Sequence, residues 1–281
     1  MPTPYVHEAL KWASSFLENA GREKEIGYIL LSHHAGWSRA QLLAEMKSPL
    51  SDVTAALFKE DVMKAGTGIP VQHITGLETF YGRPFRVNPD VLIPRPETEE
   101  LIEAVLARLP AAGPKVADIG TGSGIIAVTL ALEVPEAEVT ATDLSPEALD
   151  TARLNDYAHG TKLRFLQGDA LMPFIDAGET FDVIVSNPPY IPEADRSGMN
   201  TNVKDHEPST ALFAGKDGLD VYRRIIHQLP HVLRSPGLFA LEIGDGQGEI
   251  IQQLIKEVFP EAKTELLLDI NGKERIVTAG V

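Results

Sequence analysis

From Lys115 to Ile243, short apolar runs of strand character alternate with longer runs of helical character, and this alternation confines the chain to one kind of architecture. Lys115–Ile119 reads as a strand and is followed by a helix from about Gly124. Glu138–Thr142 reads as a second strand, followed by a helix opening at Ser145-Pro146-Glu147, with Ser145 as N-cap and Pro146 in the first turn. Leu163–Gln167, Phe181–Ser186 and Leu238–Ile243 supply further strands, with a helix near Leu219–Leu233 before the last. Strands separated by crossover helices pair in parallel, so the pattern predicts the α/β class: an open doubly wound, mostly parallel sheet. Thr264–Leu268 and Glu274–Thr278 are expected to close its edge as a hairpin. Ligands of such sheets bind beyond the carboxyl ends of the strands, and candidate functional residues are sought there.

The sequence before this region predicts a different kind of structure. Residues 1–67 read as an N-terminal helical bundle, with Val6, Ala9, Leu10, Ala13, Phe16 and Leu17 at helical spacing and a second face beginning at Ile26, Ile29 and Leu30. Ser38 with Gln41 is a capping-box pattern ahead of Leu42, Leu43 and Met46. Ser51 is the expected N-cap of a helix running through Val53, Leu57 and Val62 to Gly66. Adjacent His33 and His34 point in different directions on a helix and lack a ligand at i+4 spacing, so no metal site is expected. Residues 68–94, rich in Gly, Pro and β-branched or aromatic residues, are expected to form a β-hairpin linker. Residues 95–281 then form the larger domain, opening with Pro96 in the first turn of a helix that carries Leu101, Ile102, Val105 and Leu106.

The first strand-to-helix junction reads Asp118-Ile119-Gly120-Thr121-Gly122-Ser123-Gly124. Glycines let the backbone turn sharply and approach a ligand closely. The dinucleotide fingerprint requires G-x-G-x-x-G, whereas this loop is Gly120-x-Gly122-x-Gly124, preceded by an acidic residue. A carboxylate at Asp118 suits an ammonium group better than a pyrophosphate, and S-adenosylmethionine carries an amine, a sulfonium and no phosphate. Asp143 ends the second strand about 20 residues on, where an acidic group commonly takes a ribose diol. Gly168-Asp169-Ala170, after the third strand, is placed to meet adenine through Asp169 or a backbone amide. These strand ends predict an S-adenosylmethionine-dependent methyltransferase type of sheet.

After the fourth strand comes Asn187-Pro188-Pro189-Tyr190. Each proline fixes φ and removes a donor, so the loop is stiff and offers carbonyls. The Asn187 side-chain oxygen and the Pro188 carbonyl can both accept hydrogen bonds from one NH2 group, with Tyr190 as a flat packing face. Beside a methyl donor, such a loop implies transfer to a planar amino nitrogen, either an amide or the exocyclic amine of a base. Neither a metal nor a covalent intermediate is required, because the sulfonium is already a good leaving group.

Forty acidic against 25 basic residues give a net charge of −15, which opposes tight binding to a phosphate backbone and favours a protein partner. That weighs against the alternative of a nucleic-acid methyltransferase acting on adenine N6, cytosine N4 or guanine N2. A nicotinamide dehydrogenase is disfavoured by the glycine spacing, and a non-catalytic module by the intact Asn187 loop. The chain has no cysteine, no apolar run long enough to span a membrane and no secretory signal pattern, so a cytoplasmic setting is expected.

Taken together, Leu92-Ile93-Pro94-Arg95-Pro96-Glu97-Thr98-Glu99, Asp118 to Gly124, Asn187 to Tyr190, His206-Glu207-Pro208 with Ala211-Leu212, and Asp269…Gly272…Arg275 resemble the release-factor glutamine methyltransferases (PrmC/HemK). The resemblance runs from about Gly68 to the C-terminus; the helical segment matches in character and size. It implies S-adenosyl-L-methionine as cofactor and methylation of the glutamine amide nitrogen in the Gly-Gly-Gln loop of peptide-chain release factors; a monomer is expected, and the net charge predicts no direct nucleic-acid binding. Asn187 and Pro188 would then hold the glutamine amide, with Tyr190 packed on it, while the helical domain docks the substrate. Ala170 stands where some members carry an aromatic residue against adenine.

Overall fold

The structure, a computed structural model, describes residues 4–109, 113–199 and 201–281. It divides into two compact units, Met1–Leu77 with Asn200–His206, and Glu78–Met199 with Glu207–Val281.

The first unit contains α1 (Val6–Asn19), α2 (Glu25–Ala35), α3 (Arg39–Ala44), α4 (Asp52–Gly66) and α5 (Val71–Thr75). The apolar stripe of α1 buries Val6, Leu10, Ala13 and Leu17 against Leu30, Leu31, Leu42, Phe58 and Val62. Ser38 and Gln41 form the expected capping box, each side chain bonding the other's backbone N–H. Ser51 caps α4 by accepting from the Thr54 N–H. The buried face of α4 differs from expectation. Phe58, Asp61, Val62 and Ala65 point inward, while Val53 and Leu57 are exposed. Asp61 is tolerated there because His34 Nε2 and Lys64 Nζ each lie 2.8 Å from its carboxylate, which occupies His34 within the bundle. The stretch expected to be linker also differs. Pro70 starts the short helix α5, closed by Gly76 at φ +70°, and Val71 joins the helical core.

The second unit begins with the hairpin β1 (Leu77–Phe80) and β2 (Arg83–Arg86), followed by α6 (Glu97–Leu106), β3 (Lys115–Ile119), α7 (Ile125–Glu133), β4 (Glu138–Asp143), α8 (Pro146–His159), β5 (Arg164–Gln167), α9 (Met172–Ala177) and β6 (Phe181–Ser186). After α10 (Thr201–Lys204), which clusters with the first unit, come α11 (Ser209–Leu212), α12 (Asp220–Gln228), β7 (Leu233–Glu242), α13 (Gly248–Val258), β8 (Lys263–Leu268) and β9 (Glu274–Gly280). The sheet order is β5-β4-β3-β6-β7-β9-β8. The first five of these strands pair in parallel, and β9 runs antiparallel to both β7 and β8. The hairpin residues expected to be linker belong to this unit: Phe80 and Phe85 pack in the core that includes Leu101, Val105, Ile126 and Val128. The short helix α9 was not anticipated.

Each strand feeds two cores, because successive side chains take opposite faces. Val116, Val183, Val185 and Ala240 pack in the core with α6 and α7, while Ala117, Ile119, Ile184, Phe239 and Leu241 pack in the core with α12 and α13. This alternation decides where the polar residues at the strand ends lie. The order in which successive strands are added reverses between the parallel neighbours β3 and β6, and a crevice opens there beyond their carboxyl ends.

Candidate active site

A cavity of about 440 Å³ occupies that crevice, within the second unit. Its wall includes Gly120, Thr121, Gly122 and Ser123 after β3, Asp143 at the end of β4, Asp169 and Ala170 after β5, and Asn187, Pro188 and Pro189 after β6. The structure thus collects the predicted residues of four strand ends around one space.

The three glycines of the loop serve different ends. A Cβ added at Gly120 (φ +70°) or Gly122 (φ +56°) would meet no atom within 4 Å, so both leave open room beside the cavity. At Gly124 (φ +83°) a Cβ would lie 3.0 Å from that of Ala152, so this glycine lets α7 approach α8. Asp143 holds the loop while lining the cavity: Oδ2 accepts from the Gly122 N–H at 2.8 Å and Oδ1 from the Ser145 N–H at 2.9 Å. Burial raises its pKa, and these backbone hydrogen bonds oppose the rise.

Asp118 and Tyr190 stand apart from the other predicted residues. Asp118 is fully buried and does not form part of the wall, because it shares the β3 face of Val116, toward α7. One oxygen, Oδ2, accepts from Thr121 Oγ1 at 2.5 Å and from the Ala127 N–H at 3.1 Å, tying the loop to the first turn of α7. The other, Oδ1, is buried without a hydrogen-bond partner. Burial pushes the pKa of this carboxyl up to about 7, against the pull of those two hydrogen bonds. Tyr190 packs against the α12 and α13 core instead of lining the cavity. Its carbonyl accepts from Gln247 Nε2 at 3.1 Å, and burial raises its phenol to about 12. It anchors the loop from behind, so the expected packing of its ring on an amide is not what the structure presents.

Ala170 has φ +51°, a left-handed conformation that is uncommon outside glycine, and its carbonyl accepts from Thr142 Oγ1 at 3.2 Å. Asp169 pairs with Arg224 of α12 at 2.7 Å, and both line the cavity. The opposite wall joins two segments far apart in sequence. Buried Glu207 accepts from the Ile93 N–H at 3.0 Å and from Arg95 Nη2 at 2.6 Å. Pro94, Arg95, Pro208 and Ala211 thereby stand on the wall.

Sequence reasoning missed Thr98 and Glu242. Asn187 Nδ2 donates to Thr98 Oγ1 at 3.1 Å, and Thr98 Oγ1 donates to Glu242 Oε2 at 2.6 Å. Both Thr98 and Glu242 are buried. A carboxylate at the end of the apolar run Leu238-Phe239-Ala240-Leu241 was the available signal.

The lining suits a nucleoside: two open glycines beside the cavity and a wall carboxylate, Asp143, able to accept from hydroxyls. The sheet order and this crevice define an S-adenosylmethionine-dependent methyltransferase. Two family models match, the PrmC N-terminal domain over residues 8–76 and the methyltransferase small domain over residues 98–203. Among curated relatives, the release factor glutamine methyltransferases of Bacillus cereus and Bacillus subtilis are 49% and 46% identical. Each alignment covers 98% of this chain, with 98% and 97% of the respective relative. The chain belongs to the release factor glutamine methyltransferase family. Among solved structures, a methyltransferase from Pyrococcus furiosus (TM-score 0.52, 18% identity, 79% of this chain and 96% of that one) and the hMettl16 catalytic domain (0.55, 16%, 82% of each chain) share the fold.

Proposed function

We propose that this protein transfers the methyl group of S-adenosylmethionine to the side-chain amide nitrogen of the glutamine in the Gly-Gly-Gln loop of peptide-chain release factors. The observation that carries this reading is the Asn187 amide. It is held by Thr98 at the end of β6 and lines the cavity that the glycine loop also lines.

Gly120, Gly122 and Asp143 would hold the cofactor, Asp143 through the ribose hydroxyls, with Asp169 and Ala170 toward the base. Asp118 acts from below by fixing the loop through Thr121 and Ala127. When bound, the cofactor supplies an electrophilic methyl carbon on a sulfonium. An amide nitrogen is a poor nucleophile because its lone pair is delocalised into the carbonyl. Asn187 Oδ1 and the Pro188 carbonyl accept its two N–H groups, favour a more tetrahedral nitrogen and aim the lone pair. The bound cofactor would supply its methyl carbon to this nitrogen, with the carbon–sulfur electron pair left on sulfur, and the amide proton would pass to water. Pro188 and Pro189 keep the acceptors in place because φ is fixed at both positions. A monomer and a cytoplasmic setting accompany this reading, and the net charge of −15 supports the absence of direct nucleic-acid contact. Among the described residues no helix is long and apolar enough to cross a membrane.

The test is to incubate the full chain and labelled cofactor with a release factor, with tRNA and rRNA, and with DNA, then map the label. Label on the release-factor glutamine is expected, and label confined to nucleic acid refutes the assignment. Asn187→Ala should reduce transfer by roughly 100-fold or more while calorimetric cofactor affinity stays within about three-fold.

A further inference from the structure

An asparagine amide has two ends of similar shape and opposite chemistry, and a 180° flip would present NH2 to the substrate NH2 in place of oxygen. The Asn187 clamp therefore needs something to set the flip. Thr98 alone cannot do so, because a hydroxyl either donates or accepts. Glu242 resolves the ambiguity: an ionised carboxylate only accepts, so Thr98 Oγ1 must donate to it, as it does at 2.6 Å. Thr98 Oγ1 is left with lone pairs toward Asn187, which must answer with Nδ2, as found at 3.1 Å. The Asn187 amide also favours the ionised form of Glu242. The strands bring these groups together, since Ser186 pairs with Leu241 in the β6–β7 register and the next residues are Asn187 and Glu242.

We propose that Glu242 and Thr98 are positioning residues that lock the Asn187 side-chain amide with its oxygen presented to the acceptor NH2. The inference rests on the reading of Asn187 as the amide clamp. Arg275 stabilises the charge on Glu242 and Glu97 opposes it. Arg275 is itself held by Asp269 at 3.3 Å and donates to the Ile243 carbonyl at 3.2 Å. From α12, the neutral Tyr222 hydroxyl donates to the Glu242 carbonyl at 2.9 Å, and Tyr190 is the other phenol of this neighbourhood. Burial pushes the Glu242 pKa up to about 7, with the Thr98 and Asn187 hydrogen bonds and Arg275 pulling it down. A protonated Glu242 donates to Thr98, whose hydroxyl is then free to donate to Asn187 Oδ1, and the flipped amide is no longer disfavoured.

The experiment compares Glu242→Gln, Thr98→Val and Thr98→Ser with wild type in the full chain. It measures kcat and KM for a release factor, calorimetric cofactor affinity and the Asn187 side-chain NH2 signals in 15N NMR. Thr98→Val and Glu242→Gln should lower kcat roughly 10- to 100-fold, with KM and cofactor affinity within about three-fold, and Thr98→Ser should recover most of the loss. Wild-type kcat should fall as pH drops through about 7, and Glu242→Gln should abolish that inflection. Unchanged kcat in both Thr98→Val and Glu242→Gln overturns the proposal, as does a Thr98→Val loss that serine fails to rescue. If wild type methylates no release factor, the functional reading fails separately. The NMR comparison then decides the positioning role: Asn187 NH2 signals unmoved by Thr98→Val overturn it, and shifted signals restored in Thr98→Ser support it.

Discussion

The buried carboxyl of Asp118 makes the stability of the cofactor-free protein depend on pH in a direction that can be worked out. Its pKa is 3.8 in an unfolded chain and about 7 in the fold, because burial penalises the charged form more than Thr121 and Ala127 favour it. A raised folded pKa means that the native state holds its proton over a pH range where the unfolded chain has lost it. The contribution to stability is therefore complete below 3.8 and is lost as pH rises through about 7. Linkage over that window gives a loss of about 2–3 kcal/mol between about pH 5 and pH 8 from this one group. Asp118→Asn isolates it, since asparagine keeps an oxygen for Thr121 Oγ1 and the Ala127 N–H but has no proton to lose. Urea unfolding of both proteins without cofactor is the assay. Wild type should lose about 2–3 kcal/mol more than Asp118→Asn across that range, while the rises at Asp143 and Glu242 are common to both proteins and largely cancel. Stability curves that run parallel to within about 0.5 kcal/mol would show that the folded carboxyl is already ionised near pH 5, and would refute the burial argument.

Two other substitutions test the cofactor loop. Asp143→Ala removes the acceptor of the Gly122 and Ser145 N–H groups together with the proposed ribose contact. Calorimetric affinity for S-adenosylmethionine should fall by about ten-fold or more, and unchanged affinity would contradict the assignment. Gly124→Ala places a methyl group 3.0 Å from the Ala152 Cβ at φ +83°. It should destabilise the catalytic unit by about 1–3 kcal/mol in urea unfolding, and a neutral result would mean that α7 and α8 can separate freely.

Much of the catalytic unit was legible because its signals are local. The apolar run Phe181–Ser186 is the strand itself, and its end places Asn187 without knowledge of any other segment. Ser145 and Pro146 likewise announce α8 on their own. Contacts between distant segments carry no such signal. Thr98 and Glu242 are 144 residues apart, and their meeting follows from α6 lying over β7, which no local pattern states. The position of Asp118 was legible in principle. Period-two alternation from Val116 puts it on the face opposite Ile119, toward α7 and away from the wall, whereas the expectation had weighed only its charge. The placement of Tyr190 was less legible, since an aromatic after two prolines can face a ligand or a core, and here the ring packs against the core while its carbonyl accepts from Gln247. On α4, Val53 and Leu57 are exposed while Phe58, Asp61, Val62 and Ala65 face inward, with Asp61 bonded to His34 of another helix, a contact that local spacing does not state.

The helical unit is interrupted in sequence: Met1–Leu77 is completed by Asn200–His206, where Asn202 Oδ1 accepts from Arg22 Nη1 at 2.6 Å. During synthesis its last piece is made about 130 residues after the rest, a wait of roughly 6–26 s at ordinary translation rates. The N-terminal helices therefore emerge as an unfinished body, whose Arg22 contact forms only once most of the parallel sheet has been translated. A fragment cut at Leu77 reproduces that nascent state, and it should be less stable than the same helices measured within the whole chain.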